Sequence, residues 1–535
     1  MNAAQLLVAC LEREGVEHVF GLPGEETEDL LFALADSSIE FVAVRHECGA
    51  AFMADVHGRL TGDAGVCLST LGPGATNLLT GVADAHLDKS PLVAITGQGG
   101  LERLHKESHQ LVDVVGMFDP VTKWNARLDD PDVVHESVRK AFKVAEYEKP
   151  GATHLELPED VAAAETSVEP LPARGAVRPA GPSEASLAPV QRLLSNADRP
   201  LVIAGNGAVR ANAASALRRF VEATAVPVVS TYMGKGAVSD ADPRSLMTLD
   251  SGDHAEAATA ITDADLVLAV GYDVAEHDPA GWRRDGNATT VHLDSEPAEV
   301  YEAYDPEVEV VADVVATLAA LADWATDAAL DFDDGWYADR RQHIVDDVDR
   351  EPATEAPFTV RGVLPALREA MADEDVLVSD VGSHKMAIAQ NFPTYEPNTV
   401  IVSNGLASMG IAVPGGLAAD LAVDSNVVAA TGDGGFMMNA AELETATRVG
   451  CGFAVLVFVD DDYGLISEKQ RAHRGAEFGT RIGNPDFVRF AESFGIEARR
   501  PETRDELVDD VDWAVGADGM ALVEVPVVGT AAGGS

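Results

Sequence analysis

Basic side chains are what this sequence has least of for its size. Lys and Arg together number 38 against 89 Asp and Glu, a formal net charge of −51 over 535 residues. A field of that sign repels nucleic acid and anionic membranes, so neither is expected as a partner. The acidic load is spread through a chain that is 46% hydrophobic, so it reads as a solvated surface rather than as disorder. Concentrated salt screens the self-repulsion, and with Lys scarce beside Arg the composition is that of a halophile-like cytoplasmic protein. Cysteine is also scarce. Cys10, Cys48, Cys67 and Cys451 include no Cys-x-x-Cys pair, which argues against a disulfide framework and a structural zinc site. They read as small buried residues of a reduced protein. No apolar run reaches the ~18 residues of a membrane span. The N-terminus lacks the basic start, apolar segment and small-residue cleavage site of a signal peptide. Met1–Gly15 reads instead as an amphipathic helix with Leu7, Val8 and Leu11 on one face.

What is present is a repeated alternation. Apolar runs such as Gly65–Ser69, Leu92–Thr96, Leu201–Ala204, Leu266–Val270, Val376–Ser379, Val427–Thr431 and Phe453–Val459 are each followed by a turn and a helical pattern. Continuous apolar strands between helices predict an α/β fold of doubly wound parallel sheets covered on both faces. Two stretches read as linkers: Glu165–Ser186, rich in Pro and Ala, and Asp331–Pro357, dense in Asp. Cutting there predicts three domains, 1–165, 186–330 and 357–525, with a frayed tail after Pro526.

The sharpest chemical signal lies in the third unit. The strand Asn426–Thr431 runs into Gly432-Asp433-Gly434-Gly435, a helix is predicted over about Asn439–Arg448, and the strand Phe453–Val459 runs into Asp460-Asp461-Asp462-Tyr463-Gly464. Asp433 and Asp460 thus fall at the carboxyl ends of strands joined by one crossover, where ligands bind in parallel sheets. Two carboxylates and a backbone carbonyl form a hard oxygen site suited to Mg²⁺. The glycines let backbone N–H groups face a phosphate.

In the first unit, Arg45-His46-Glu47-Cys48-Gly49-Ala50-Ala51 lies between strand and helix, and Leu71-Gly72-Pro73-Gly74-Ala75-Thr76-Asn77 repeats that arrangement. With the Asp433 and Asp460 turns, these motifs resemble, in matching order over about residues 1–525, the acetolactate synthase family of thiamine-diphosphate enzymes. The resemblance implies thiamine diphosphate and Mg²⁺, with Asp433 and Asp460 as side-chain ligands and Asp462 as a carbonyl ligand. It implies that Glu47 contacts the aminopyrimidine and does the acid–base work that activates the cofactor. Pro23, Pro73 and Asn77 are implied as further contacts. So are the turn Val381-Gly382-Ser383-His384, Ala407 (by its carbonyl), Met409 (wedged between the two rings), Gly434, Gly435, Tyr463, Gly464 and Leu465. Gln110 is implied as an amide near the substrate. One position departs from the family pattern: Val459 stands where an Asn usually precedes the second ligand.

Gly271-Tyr272-Asp273-Val274-Ala275-Glu276 and Val291-His292-Leu293-Asp294 resemble the catabolic, flavin-free members. Gly205-Asn206-Gly207 is no full dinucleotide fingerprint, and Met233-Gly234-Lys235-Gly236 replaces the Met-His-Gly of flavin-binding relatives. FAD is therefore a possible but not a favoured cofactor. The implied reaction condenses two pyruvates, or pyruvate and 2-oxobutanoate, to a 2-acetolactate-type product with loss of CO₂. The site is expected between subunits of a homodimer or homotetramer, and a regulatory subunit is possible. Two alternatives stay open: a sister 2-oxo-acid decarboxylase, lyase or acetyltransferase, since Gly464–Lys469 lacks a Trp common in anabolic synthases, and a non-catalytic regulatory relative.

Overall fold

Eighteen strands fall into three six-stranded sheets in the computed structural model, which describes residues 1–175, 177–249, 255–282, 288–348 and 353–528. The first sheet holds β1 (His18–Gly21), β2 (Glu40–Ala43), β3 (Gly65–Ser69), β4 (Leu92–Gln98), β5 (Trp124–Arg127) and β6 (Ala152–Pro158). The second holds β7 (Pro200–Ala204), β8 (Val228–Ser230), β9 (Ser245–Thr248), β10 (Leu266–Val270), β11 (Thr289–Asp294) and β12 (Val308–Val311). The third holds β13 (Val376–Ser379), β14 (Val400–Val402), β15 (Val427–Gly432), β16 (Ala454–Val459), β17 (Glu497–Arg499) and β18 (Ala521–Pro526).

Every strand pairing in the three sheets is parallel. The first sheet runs β2-β1-β3-β4-β6-β5 and the third repeats that order as β14-β13-β15-β16-β18-β17, whereas the central sheet runs β12-β11-β10-β7-β8-β9. The predicted parallel α/β class is the observed one.

The inner strands β3, β4, β6, β7 and β10 are buried along their whole length, as expected where helices cover both faces. The N-terminal helix spans Ala3–Glu14. Asn2 and Gln5 cap it reciprocally, and Gly15 ends it at φ 91°, a left-handed position that favours glycine. Its Leu7, Val8 and Leu11 are buried. On the other face of the first sheet, the helix Glu47–Thr61 packs against Ala412–Ala422 of the third unit, so Phe52, Val56, Leu417 and Val455 share one core. A Cβ at Gly415 would come within 2.9 Å of Val56 Cγ2, so glycine permits this approach.

Two sequence expectations need correction. The acidic stretch read as a linker over 331–357 carries the helix Ala338–Val348, with Tyr337 and Ile344 buried against the central core. Its density of Asp masks a few apolar residues at helical spacing. The helix expected over Asn439–Arg448 is in fact two, Asp433–Asn439 and Glu442–Val449. Gly434 and Gly435 read as turn residues but sit in the first helical turn because of close approach. A Cβ would lie 2.6 Å from Tyr463 Cε1 at Gly434 and 2.9 Å from Asp380 Cγ at Gly435. Most of the tail read as frayed, residues 529–535, lies outside the described residues. Val527 and Val528 are tied to the third sheet through Val459 O (2.9 Å) and Phe358 O (2.8 Å).

Candidate active site

In the third sheet, β15 lies between β13 and β16, so the turns that leave these three strands meet at one edge. They carry Val381–His384, Asp433–Gly435 and Asp460–Leu465. With Ala407 and Met409 from the loop after β14, they line a cavity of about 340 Å³. Every residue assigned to the cofactor in this unit lines it, together with Val360, Phe458, Ile466, Val527 and Val528, which the motifs did not point to.

Asp433 is buried, and its Oδ1 accepts from Gly434 N–H at 2.8 Å. Its Oδ2 accepts from Asp461 N–H (2.8 Å), Asp460 N–H (3.3 Å) and Asn484 Nδ2 (2.8 Å). The Asp462 side chain accepts from Ser467 Oγ at 2.6 Å, and its backbone N–H donates to Asp460 Oδ1 at 3.2 Å. Burial first, then the charge of Asp433, push the Asp460 carboxyl up to about 6, and burial raises Asp433 as well. A buried carboxylate beside a second one that its charge destabilises is suited to sharing a cation.

Among the described residues, no group of three or more His, Cys, Asp or Glu side chains gathers as a complete metal site. The three groups assigned to the metal from the sequence, the Asp433 and Asp460 carboxylates and the Asp462 carbonyl, are oxygen donors that would suit Mg²⁺ with further oxygens from phosphate or water. For the diphosphate, His384 offers a direct test of fit. Its ring is buried and lines the cavity, yet Nε2 has no hydrogen-bond partner. Burial holds the ring neutral by pulling its pKa down to about 4. An orphaned ring nitrogen and helices opening at Ser383, Asp433 and Gly464 fit a diphosphate–Mg²⁺ group.

In the first unit the turns after β1, β2 and β3 likewise lie side by side, and they carry Pro23, Glu47, and Pro73 with Asn77. Glu47 opens the helix Glu47–Thr61, is buried, and accepts from Asn77 Nδ2 at 3.0 Å. Pro73 opens the next helix, Pro73–Leu87. Pro23 and Gln110 are exposed, and the backbone of Gln110 lies against Gly72, where a Cβ would meet Gln110 O at 2.6 Å. None of these first-unit residues lines the third-unit cavity of the same chain. Gln110, Ala407 and Asp461 all adopt φ 55°. Left-handed backbone at non-glycine residues costs about 1–3 kcal/mol each, and the chain also accepts it away from the site, as at the helix cap Ala225.

Sequence reasoning missed Asp380 and Glu442. Asp380, buried, accepts from Gly410 N–H (2.8 Å), Val381 N–H (2.7 Å), Ala412 N–H (3.4 Å) and Thr431 Oγ1 (3.1 Å), and so ties the Met409 loop to β15. Its place after Ser379 at a strand end is the only signal the sequence offers.

A flavin diphosphate does not fit the central sheet. The turn after β7 sits where the strand order reverses, the usual dinucleotide crevice, but its N–H groups are taken. Asn206 N–H donates to Glu276 Oε1 (2.9 Å) and Gly207 N–H to Gly271 O (2.8 Å). A Cβ at Gly271 would lie 2.4 Å from Gly207 Cα. Beside them, Arg210 and Lys149 pair with Glu148, Asp273 and Asp294. A larger cleft of about 460 Å³ at the junction of the three units touches Arg59, Asp88, Asn206 and Arg210 and holds none of the assigned cofactor residues.

Comparison with known proteins agrees with this architecture. Residues 1–117 match the N-terminal TPP binding domain of thiamine pyrophosphate enzymes, 187–321 their central domain and 380–525 their C-terminal TPP binding domain. The class is thus a three-unit thiamine pyrophosphate enzyme. Among similar relatives are the acetolactate synthase of Bacillus subtilis (strain 168), 32% identical with 98% of this chain and 93% of that protein covered. The catabolic acetolactate synthase of Raoultella terrigena is 33% identical, covering 98% and 95%. The acetolactate synthase isozyme 2 large subunit of Escherichia coli (strain K12) is 32% identical, covering 98% and 96%. The chain belongs to the acetolactate synthase family.

Among the described residues no helix is long and apolar enough to cross a membrane.

Proposed function

We propose that this protein condenses two 2-oxo acids, two pyruvates or pyruvate with 2-oxobutanoate, to a 2-acetolactate-type product with release of CO₂, using thiamine diphosphate and Mg²⁺ and needing no flavin. When bound, thiamine diphosphate would supply a nucleophilic carbon for the ketone of a 2-oxo acid and an electron sink for the pair left on that substrate carbon as CO₂ departs from it. The observation that carries the reading is the single cavity in which Asp433, Asp460, the glycine turns and the unpartnered His384 Nε2 converge. Asp433, Asp460 and the Asp462 carbonyl hold Mg²⁺, and His384 with the turn Val381–Ser383 holds the diphosphate. Ala407 and Met409 hold the rings. Glu47, oriented by Asn77, moves the proton that readies the cofactor, and Gln110 lies near the substrate.

Glu47 and its neighbours lie away from the cavity of their own chain, which supports a homodimer or homotetramer with the site between subunits. Relatives named as large subunits support a smaller regulatory partner as an addition. The composition supports a cytoplasmic setting of high salt, and the domains are taken as 1–165, 186–330 and 357–525.

The test is product analysis with pyruvate, Mg²⁺ and thiamine diphosphate in about molar KCl, without flavin, for wild type and Glu47→Gln. Acetolactate from the wild type and almost none from the variant is the expected result. Acetaldehyde alone would make the protein a decarboxylase, and a dependence on added FAD would overturn the flavin-free reading.

A further inference from the structure

The turn that leads into Glu47 is held by a residue far from it in sequence. Glu442, fully buried, opens the helix Glu442–Val449 of the third unit and reaches across to the first. Its Oε1 accepts from Arg45 N–H (3.1 Å) and His46 N–H (3.0 Å), and its Oε2 lies 3.2 Å from the same Arg45 nitrogen. Thr445 Oγ1 fixes that carboxylate from behind at 2.6 Å. The same helix docks along the end of β2 through Glu444 to Arg45 Nη1 (3.7 Å) and Arg448 to Ala43 O. Gly49 leaves the room required, since a Cβ there would lie 2.8 Å from Glu442 Oε1.

Val44, Arg45 and His46 are the whole connection between β2 and the helix that Glu47 opens, and Glu442 holds the last two of the three. Their backbone therefore sets where the Glu47 carboxyl points. Asn77 holds that carboxyl by its side chain, and Glu442 holds the turn beneath it. We propose that Glu442 is a positioning residue for proton transfer by Glu47, acting through the Arg45–His46 turn. This rests on the reading of Glu47 given above. Proton transfer falls steeply with displacement of the donor and acceptor, so a clamp on two consecutive N–H groups matters to rate more than to cofactor affinity, which the third-unit cavity supplies.

The experiment is hydrogen–deuterium exchange at C2 of thiamine diphosphate bound to the full-length protein with Mg²⁺, by acid quench and proton NMR, with cofactor affinity and Tm measured alongside. Four variants are compared with wild type: Glu47→Gln, Glu442→Ala, Glu442→Gln and Thr445→Val. Glu442→Ala is expected to slow exchange about tenfold or more while affinity changes less than about threefold. Glu442→Gln, whose amide oxygen still accepts from both N–H groups, restores most of the rate. Thr445→Val, which keeps the carboxylate but frees it to swing, slows exchange to a smaller degree and serves if Glu442→Ala does not fold. Wild-type exchange in Thr445→Val and in folded Glu442→Ala overturns the proposal while leaving Glu47 in its role. So does a slowing in Glu442→Ala matched by an equal loss of affinity. Wild-type exchange in Glu47→Gln overturns the reading of Glu47 and the positioning role with it.

Discussion

Glu276 sits in the central sheet where a phosphate would sit in a dinucleotide-binding protein, and replacing it with Gln has a consequence whose sign follows from the structure. Its Oε1 accepts from Asn206 N–H (2.9 Å) and Asp273 N–H (3.3 Å), and its Oε2 meets the Thr231 hydroxyl, which can in turn donate to Ala204 O (3.4 Å). Burial, then the charge of Asp273, push the carboxyl up to about 8 from an ordinary 4.5. Asp273 is held ionised by Arg210 and Lys149, which pull it down to about 2. One carboxyl of the pair thus carries the charge and the other keeps its proton.

A folded state that keeps a proton the unfolded chain has released loses stability as pH rises. The loss begins near 4.5 and ends near 8, with a limiting slope of about 1.4 kcal/mol per pH unit. Gln is the shape of the protonated acid and cannot titrate. Glu276→Gln should match wild type in Tm near pH 5 and exceed it progressively up to pH 8, by an amount equivalent to several times about 1 kcal/mol. Scanning calorimetry at fixed salt and scan rate, at pH 5, 6, 7 and 8, reads the difference. Parallel Tm profiles for the two proteins, or a wild type that gains on the variant as pH rises, would refute the assignment of a proton to Glu276.

Asp380→Ala strands the Gly410 and Val381 N–H groups, while the Thr431 hydroxyl keeps Gly432 O as an acceptor at 3.0 Å. At about 1–3 kcal/mol per unsatisfied group, a clear fall in Tm and weaker thiamine diphosphate binding are expected, and a shift below about 2 °C would contradict this. His384→Gln should weaken thiamine diphosphate binding about fivefold to tenfold, the worth of one hydrogen bond, as read by isothermal titration calorimetry. Because burial takes the His384 ring down to about 4 from 6.5, its contribution to wild-type stability is complete above pH 6.5 and is lost as pH falls toward 4. The variant should lack that acid limb.

The turns were legible because their chemistry is written in consecutive residues. Gly432-Asp433-Gly434-Gly435 and Asp460-Asp461-Asp462 each follow an apolar run long enough to be a buried strand, and parallel pairing then puts strand ends together without further information. The runs singled out in the sequence do not cover every strand, and the short strands at sheet edges are the least marked. β5 and β17 have four and three residues and are half exposed, so neither alternation nor a continuous apolar run marks them, while β14 is apolar and buried but only three residues long. The helix Ala338–Val348 escaped because its one buried residue is Ile344, with Tyr337 buried just before it, among acids. What composition suggested about surface was right for most of those positions and silent about the two that pack.

The residues that hold the site in shape were illegible for a different reason. Glu442 acts 396 positions from His46 and Asp380 acts 51 positions from Thr431. A carboxylate that accepts backbone N–H groups needs no particular residue as its partner, so nothing at the other end of the contact announces it. The same physics explains why the flavin question turned on Glu276 rather than on the glycines. Gly205-Asn206-Gly207 offers N–H groups to any anion, and only the folded chain reveals that the acid 70 positions on has reached them first. A sequence motif names the groups that can bind. Which of them are still available is settled by the buried carboxylates around them, and in this chain the third sheet leaves the His384 ring nitrogen unpartnered while the central sheet leaves its glycine turn filled.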